Sequence, residues 1–192
     1  MEASPSYLCT PSALRKMQQV LPKTRVIVVL RDPVSRAFSH YQHRKTRHLE
    51  SRCFAECVTE EIRANQFPAE PGFALRPDAA QMWGYVARGY YALQLELLLK
   101  LYSRNKVLLM DSDSLFKDTG AACERVFSFM GLDGFDVQPT KIYNRGYYKE
   151  KIDPRVADQL REHYRPYDAM LTELVDEEFS WMKPRAQMAR AA

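Results

Sequence analysis

Five consecutive apolar residues, Val26-Ile27-Val28-Val29-Leu30, run into Arg31-Asp32-Pro33 and then into a helical pattern. The run is rich in β-branched residues and does not alternate. It reads as a strand from Arg25 to Leu30, buried on both faces as in a parallel sheet covered by helices. Proline fits the first turn of a helix, so Pro33 opens one that reaches about Arg47. Asp32 stands where a carboxylate caps the free amides of that turn. Strand end, tight turn and helix start are the parts from which α/β proteins build anion sites. Arg31 offers a planar fork of donors and Ser39 a hydroxyl, and both can reach one phosphate. Arg36 has two open readings, pairing with a carboxylate or lining the same site.

The rest of the chain alternates helical and β-rich runs, which argues an α/β fold. Thr10 and Pro11 open a short helix that Pro22 ends, with Leu14, Met17 and Leu21 at helical spacing. Further helices are expected over Phe54–Asn65, Gly89–Tyr102 with Leu93, Leu97, Leu98 and Leu101 inward, and Asp118–Met130 with Gly131 at its C′ position. Pro154–Tyr164 and Tyr167–Glu177 read as two more. Val107–Met110 is a second buried strand, and Ser6–Cys9 a third candidate. Phe67–Trp83 holds several Pro and Gly without a period and reads as a loop. The division is one domain over residues 1–182 and a tail over 183–192.

Composition narrows the partners. At 192 residues, 46% apolar and 27% charged, the chain can bury a real core. A net charge of +4 suits an anionic ligand without demanding nucleic acid. Arg44-Lys45-Thr46-Arg47-His48 is the densest basic run. It reads as a solvated helix end, with a rim for an acidic acceptor as the sharper alternative. No apolar run approaches the roughly 20 residues of a membrane helix, and acidic Glu2 with no apolar stretch behind it is unlike a signal peptide. Cys9, Cys53, Cys57 and Cys123 lack zinc-ligand spacing and read as free thiols. No metal is expected. The four histidines, His40, His43, His48 and His163, read as surface or helix-packing residues.

Arg31-Asp32-Pro33-x-x-Arg36-x-x-Ser39 after a hydrophobic strand resembles the 3′-phosphate motif of sulfotransferases that use 3′-phosphoadenosine 5′-phosphosulfate (PAPS), closest in flavour to the heparan-sulfate-type and bacterial carbohydrate enzymes. Glu2-Ala3-Ser4-Pro5-Ser6-Tyr7-Leu8 resembles the family's segment before that strand. Gly89-Tyr90-Tyr91-Ala92-Leu93-Gln94-Leu95 resembles its Gly-x-Tyr-x-x-Gln-Leu helix start. Val107–Leu115 and Val126–Leu132 resemble its second strand and a later helix end. The five segments stand in family order across most of residues 2–181.

The resemblance implies a P-loop-NTPase-like, three-layer α/β/α fold with a parallel sheet. It implies transfer of a sulfuryl group from PAPS to a hydroxyl or amine, on a carbohydrate, leaving adenosine 3′,5′-bisphosphate (PAP). Arg31 and Ser39 would hold the 3′-phosphate. Arg145, Gly146 and Tyr147 match a late loop that closes over the cofactor; a plain Gly turn with a tyrosine beneath it is the competing reading. The Lys-x-Gly-Thr loop of the family is not in this sequence, and Ala3 stands where many members carry lysine. The expectation is a domain incomplete at its N-terminus, with its catalytic residues unassigned and an open apolar edge beside Arg25–Leu30. A catalytically inactive fragment that at most binds PAP is the alternative. The compartment implied is the Golgi for a eukaryotic relative and the cytoplasm for a bacterial one. A P-loop kinase would need Gly-x-x-x-x-Gly-Lys-Ser/Thr, which is absent.

Overall fold

The computed structural model describes residues 2–64, 84–134 and 150–183. In chain order they form α1 (Pro11–Val20), β1 (Val26–Leu30), α2 (Pro33–Lys45), α3 (Phe54–Ala64), a 3₁₀ turn (Ala87–Gly89) and α4 (Tyr91–Leu101). Then follow β2 (Val107–Asp111), α5 (Ser112–Lys117), α6 (Thr119–Met130), α7 (Pro154–Val175) and a 3₁₀ turn (Ser180–Met182). Strands β1 and β2 pair in parallel, Val26 opposite Val107 through Leu30 opposite Asp111.

Local chemistry sets the boundaries. Asp32, Asp118 and Asp153 each cap a helix by accepting a main-chain N–H. Gly131 ends α6 at φ 70°, the left-handed conformation that glycine adopts without strain. Ser6–Cys9 is a turn rather than the strand its sequence suggested. The Thr10 amide donates to the Tyr7 carbonyl and the Thr10 hydroxyl to the Ser6 carbonyl at 2.8 Å, closing the backbone on itself.

The two helices expected around Pro166 are one. Pro166 and Glu162 both lie on the exposed side of α7, so water can satisfy the Glu162 carbonyl that loses its amide partner. The inward face of α4 also differs. Tyr91, Ala92, Leu95 and Leu98 are buried, while Leu93, Leu97 and Leu101 are only partly so. This helix is apolar almost all round, so leucine spacing could not choose its face. The sheet below and the hydroxyl anchors of Tyr91 and Tyr102 choose it.

Two apolar clusters share the long helix α7. Its first half packs with α2 and α3 around Tyr41, Val58, Leu160 and Tyr164. Its second half joins α1, α4 and the sheet around Leu14, Leu30, Leu95 and Leu109. Burial of β1 alternates: Val28 and Leu30 face the second cluster, but Val29 is 50% exposed. The expectation of cover on both faces therefore fails at Val29. Among the described residues the second edge of β1 has no strand partner.

Candidate active site

A groove of about 780 Å³ runs along β1. One wall is β1 itself, ending on exposed Arg31. The opposing wall is α2, held at its start by Asp32. The Asp32 Oδ1 accepts from the Val34 amide at 3.1 Å and its Oδ2 from the Ser35 hydroxyl at 2.6 Å. Asp32 is thus the cap that the sequence suggested.

Helix α2 separates its two jobs by face. Val34, Ala37 and Tyr41 enter the core. Arg36, Ser39, His40 and His43 line the groove at i, i+3, i+4 and i+7, which is one stripe of a helix. Arg31 and Ser39, singled out from sequence, therefore line one groove. Arg145, Gly146 and Tyr147 lie outside the described residues.

Arg36 meets the second of its readings: it lines the groove, donates to the Tyr85 carbonyl, and places its charge near the partly buried Glu61 carboxylate. Glu61 in turn accepts from the Val86 and Ala87 amides at 2.9 and 2.7 Å, fixing the 3₁₀ turn beside the groove. Arg88, from that turn, donates to the Pro5 carbonyl at 3.0 Å and the Ser6 hydroxyl at 3.2 Å. The groove's described lining thus holds three arginines and two histidines, and no acidic side chain.

Burial, and the positive charges of Arg36, Arg88, Arg44 and His43, press the His40 pKa down to about 4. The groove roles of His40 and His43 were legible as the 36/39/40/43 spacing and were missed. Arg88 gave no sequence signal, because tertiary folding alone brings it there. His163 packs against aromatic rings and shares a 2.8 Å hydrogen bond with the Tyr90 hydroxyl, the packing role expected.

The basic run is not one solvated patch. Arg44 is 9% exposed and donates to the Leu49 carbonyl, while Lys45 pairs with Glu150 at 3.1 Å. The helix turns Arg44 onto its buried face, a placement the charge run alone cannot reveal. All four thiols are free, Cys53 exposed and Cys57 buried. Among the described residues no three His, Cys, Asp or Glu side chains gather as metal ligands, and no helix is long and apolar enough to cross a membrane.

A second cavity of about 690 Å³ opens on the far side of Asp32, under α7. Asp168 there accepts from Trp181 Nε1 at 3.3 Å. Burial raises its pKa to about 6, and the charge of Asp32 adds to that effect.

The sulfotransferase domain family matches residues 3–151. The chain belongs to the sulfotransferase family. Human heparan sulfate glucosamine 3-O-sulfotransferase 6 is 28% identical over 206 residues, covering 94% of this chain and 56% of that protein. Human heparan sulfate glucosamine 3-O-sulfotransferase 3B1 is 24% identical over 204 residues, covering 94% of this chain and 49% of that protein. A crystal structure of a sulfotransferase from Alicyclobacillus acidocaldarius superposes with TM-score 0.75 at 26% identity, covering 95% of this chain and 67% of the other. The chain spans about half the length of the curated relatives named here. The fold expected from the sequence, a sulfotransferase α/β fold with a parallel sheet, is the one found.

The acid-free groove fits the nucleotide that this family implies. Guanidinium groups and a helix hydroxyl at a strand end are donors only, or donors first, and suit phosphate oxygens. Among the described residues the buried Nδ1 of His40 has no hydrogen-bond partner.

Proposed function

We propose that this protein transfers a sulfuryl group from PAPS to a hydroxyl or amine of a carbohydrate, with Arg31 and Ser39 holding the 3′-phosphate. The observation that carries the reading is the placement of both residues on one cationic groove at the end of a parallel strand. PAPS supplies the sulfuryl group when bound. The chain's own residues bind and orient it: Arg31 as a charge-assisted fork, Ser39 as a hydroxyl donor, Arg36 and Arg88 as further positive charge along the groove. Transfer of this kind passes through a loose, anionic transition state, so positioning and fixed positive charge are the main contributions a protein can make. A carbohydrate acceptor is supported by the relatives, whose names specify heparan sulfate glucosamine.

Calorimetry with PAP and with adenosine 5′-phosphate tests the nucleotide assignment. PAP should bind and the monophosphate should bind much more weakly. Transfer of labelled sulfuryl from PAPS to a glucosamine-containing oligosaccharide tests the reaction. Equal binding of the two nucleotides would remove the 3′-phosphate assignment.

A further inference from the structure

His40 is a groove residue that keeps one ring edge buried. Its imidazole lies edge-on to Tyr85, centroids 5.0 Å apart and planes at 63°. Its Nδ1 is buried without a hydrogen-bond partner among the described residues, so an imidazolium, with an N–H on both ring nitrogens, needs an acceptor that those residues do not supply. Positive groups face it from two elements: Arg36, His43 and Arg44 on α2, and Arg88 on the 3₁₀ turn. Just after β1, Arg31 reaches the same groove, and Tyr7, Cys9 and Tyr91 complete its titratable lining. Glu61 of α3 is the carboxylate close to Arg36, and it is engaged by the Val86 and Ala87 amides. Without an anion, the groove keeps this imidazole neutral. A tetrahedral oxyanion among the same groups offsets their positive field, supplies a hydrogen-bond acceptor and so favours the imidazolium.

We propose that His40 is a ligand of the oxyanion that fills this groove and takes up a proton as that anion arrives. The inference rests on the reading that the groove binds phosphate or sulfate groups. That chemistry has two sources, the nucleotide and a sulfated acceptor. His40 adjoins Ser39 in the chain and shares its wall, so its proton uptake would tie nucleotide affinity to pH.

The test follows the His40 imidazole signals of the whole chain by NMR at pH 6.5. One arm adds PAP and the other a sulfated glucosamine disaccharide. Movement to imidazolium positions with PAP assigns the nucleotide; movement with the disaccharide alone assigns the acceptor. Calorimetry in two buffers of different ionisation enthalpy gives an independent proton count for native protein and for His40→Gln. Lowering the pH by one unit should tighten PAP binding by up to about tenfold more in the native protein than in the variant. If PAP binds while His40 stays neutral in both arms, the inference fails and the nucleotide reading survives. If neither ligand binds, both fail.

Discussion

The Tyr91 hydroxyl donates to the Arg31 carbonyl at 2.9 Å, tying the first residue of α4 to the residue that follows β1. Tyr91 is buried, so this bond is shielded from water. It fixes the backbone from which the Arg31 side chain enters the groove. Tyr91→Phe keeps the ring and removes the anchor. A net loss of about 0.5–1.5 kcal/mol in stability is expected for one such hydrogen bond. PAP affinity should fall by a few-fold, because Arg31 is then less well positioned. A melt combined with PAP calorimetry checks both effects, and unchanged PAP affinity would show that Arg31 needs no such support.

Arg31→Ala and Ser39→Ala should separate charge from geometry. The arginine contributes a charge-assisted contact worth about 1.5–3 kcal/mol, roughly ten- to a hundredfold in PAP affinity. The serine contributes a single hydroxyl donor to the same phosphate, so the expected loss is smaller. Arg31→Ala should keep the native melting temperature, since Arg31 is exposed. A retained preference for PAP over adenosine 5′-phosphate in Arg31→Ala would contradict the assignment.

Gly89 is needed for space. A Cβ built there would lie 2.6 Å from the Tyr164 hydroxyl and 2.7 Å from its ring. Tyr164 cannot withdraw, because it is fully buried and its hydroxyl donates to the Val86 carbonyl at 2.8 Å. Gly89→Ala should therefore cost about 1–3 kcal/mol as an overpacking change. Tyr164→Phe added to it should recover little, since ring carbons also clash. Thermal denaturation of the two variants decides the matter.

The sequence was most readable where local chemistry and tertiary position agree. The strand before Arg31, the Asp32 cap and the helix from Pro33 satisfy local rules and are also where packing needs them. Leu93, Leu97 and Leu101 misled because α4 is apolar on nearly every side, and only its neighbours define an inside. Pro166 misled because a proline rule assumes that the orphaned carbonyl must be satisfied within the protein, whereas Glu162 faces water. Arg88 was invisible for a different reason. Its place near His40 is set by the Glu61 carboxylate holding the 3₁₀ turn, a contact across 25 residues of chain. The α2 stripe was readable in principle, since Arg36, Ser39, His40 and His43 follow helical spacing once Ala37 and Tyr41 are assigned to the core.

Asp168 gives the fold a pH dependence of predictable sign. Its carboxyl is pushed by burial, against the hydrogen bond from Trp181, from an ordinary 3.8 to about 6 in the folded protein. Between those two values the folded state holds a proton that the unfolded state has released. Stability therefore falls as pH rises through this window, and the contribution is complete near neutrality. Asp168→Asn removes the titration and retains an oxygen for Trp181 Nε1. The variant should be more stable than the native protein at pH 7, and the gap should shrink as pH falls toward 4. Glu50, whose pKa Arg52 holds down at about 2, changes stability in the opposite direction at lower pH. It is present in both proteins and cancels in the comparison. The side chain is partly exposed, so solvent screening reduces the size of the gap and its sign and pH window are the quantities to read. Melting temperatures of the two proteins from pH 4 to pH 7 check this. A gap that does not change with pH would mean that the Asp168 carboxyl is already ionised at pH 4, with Trp181 and not burial controlling it.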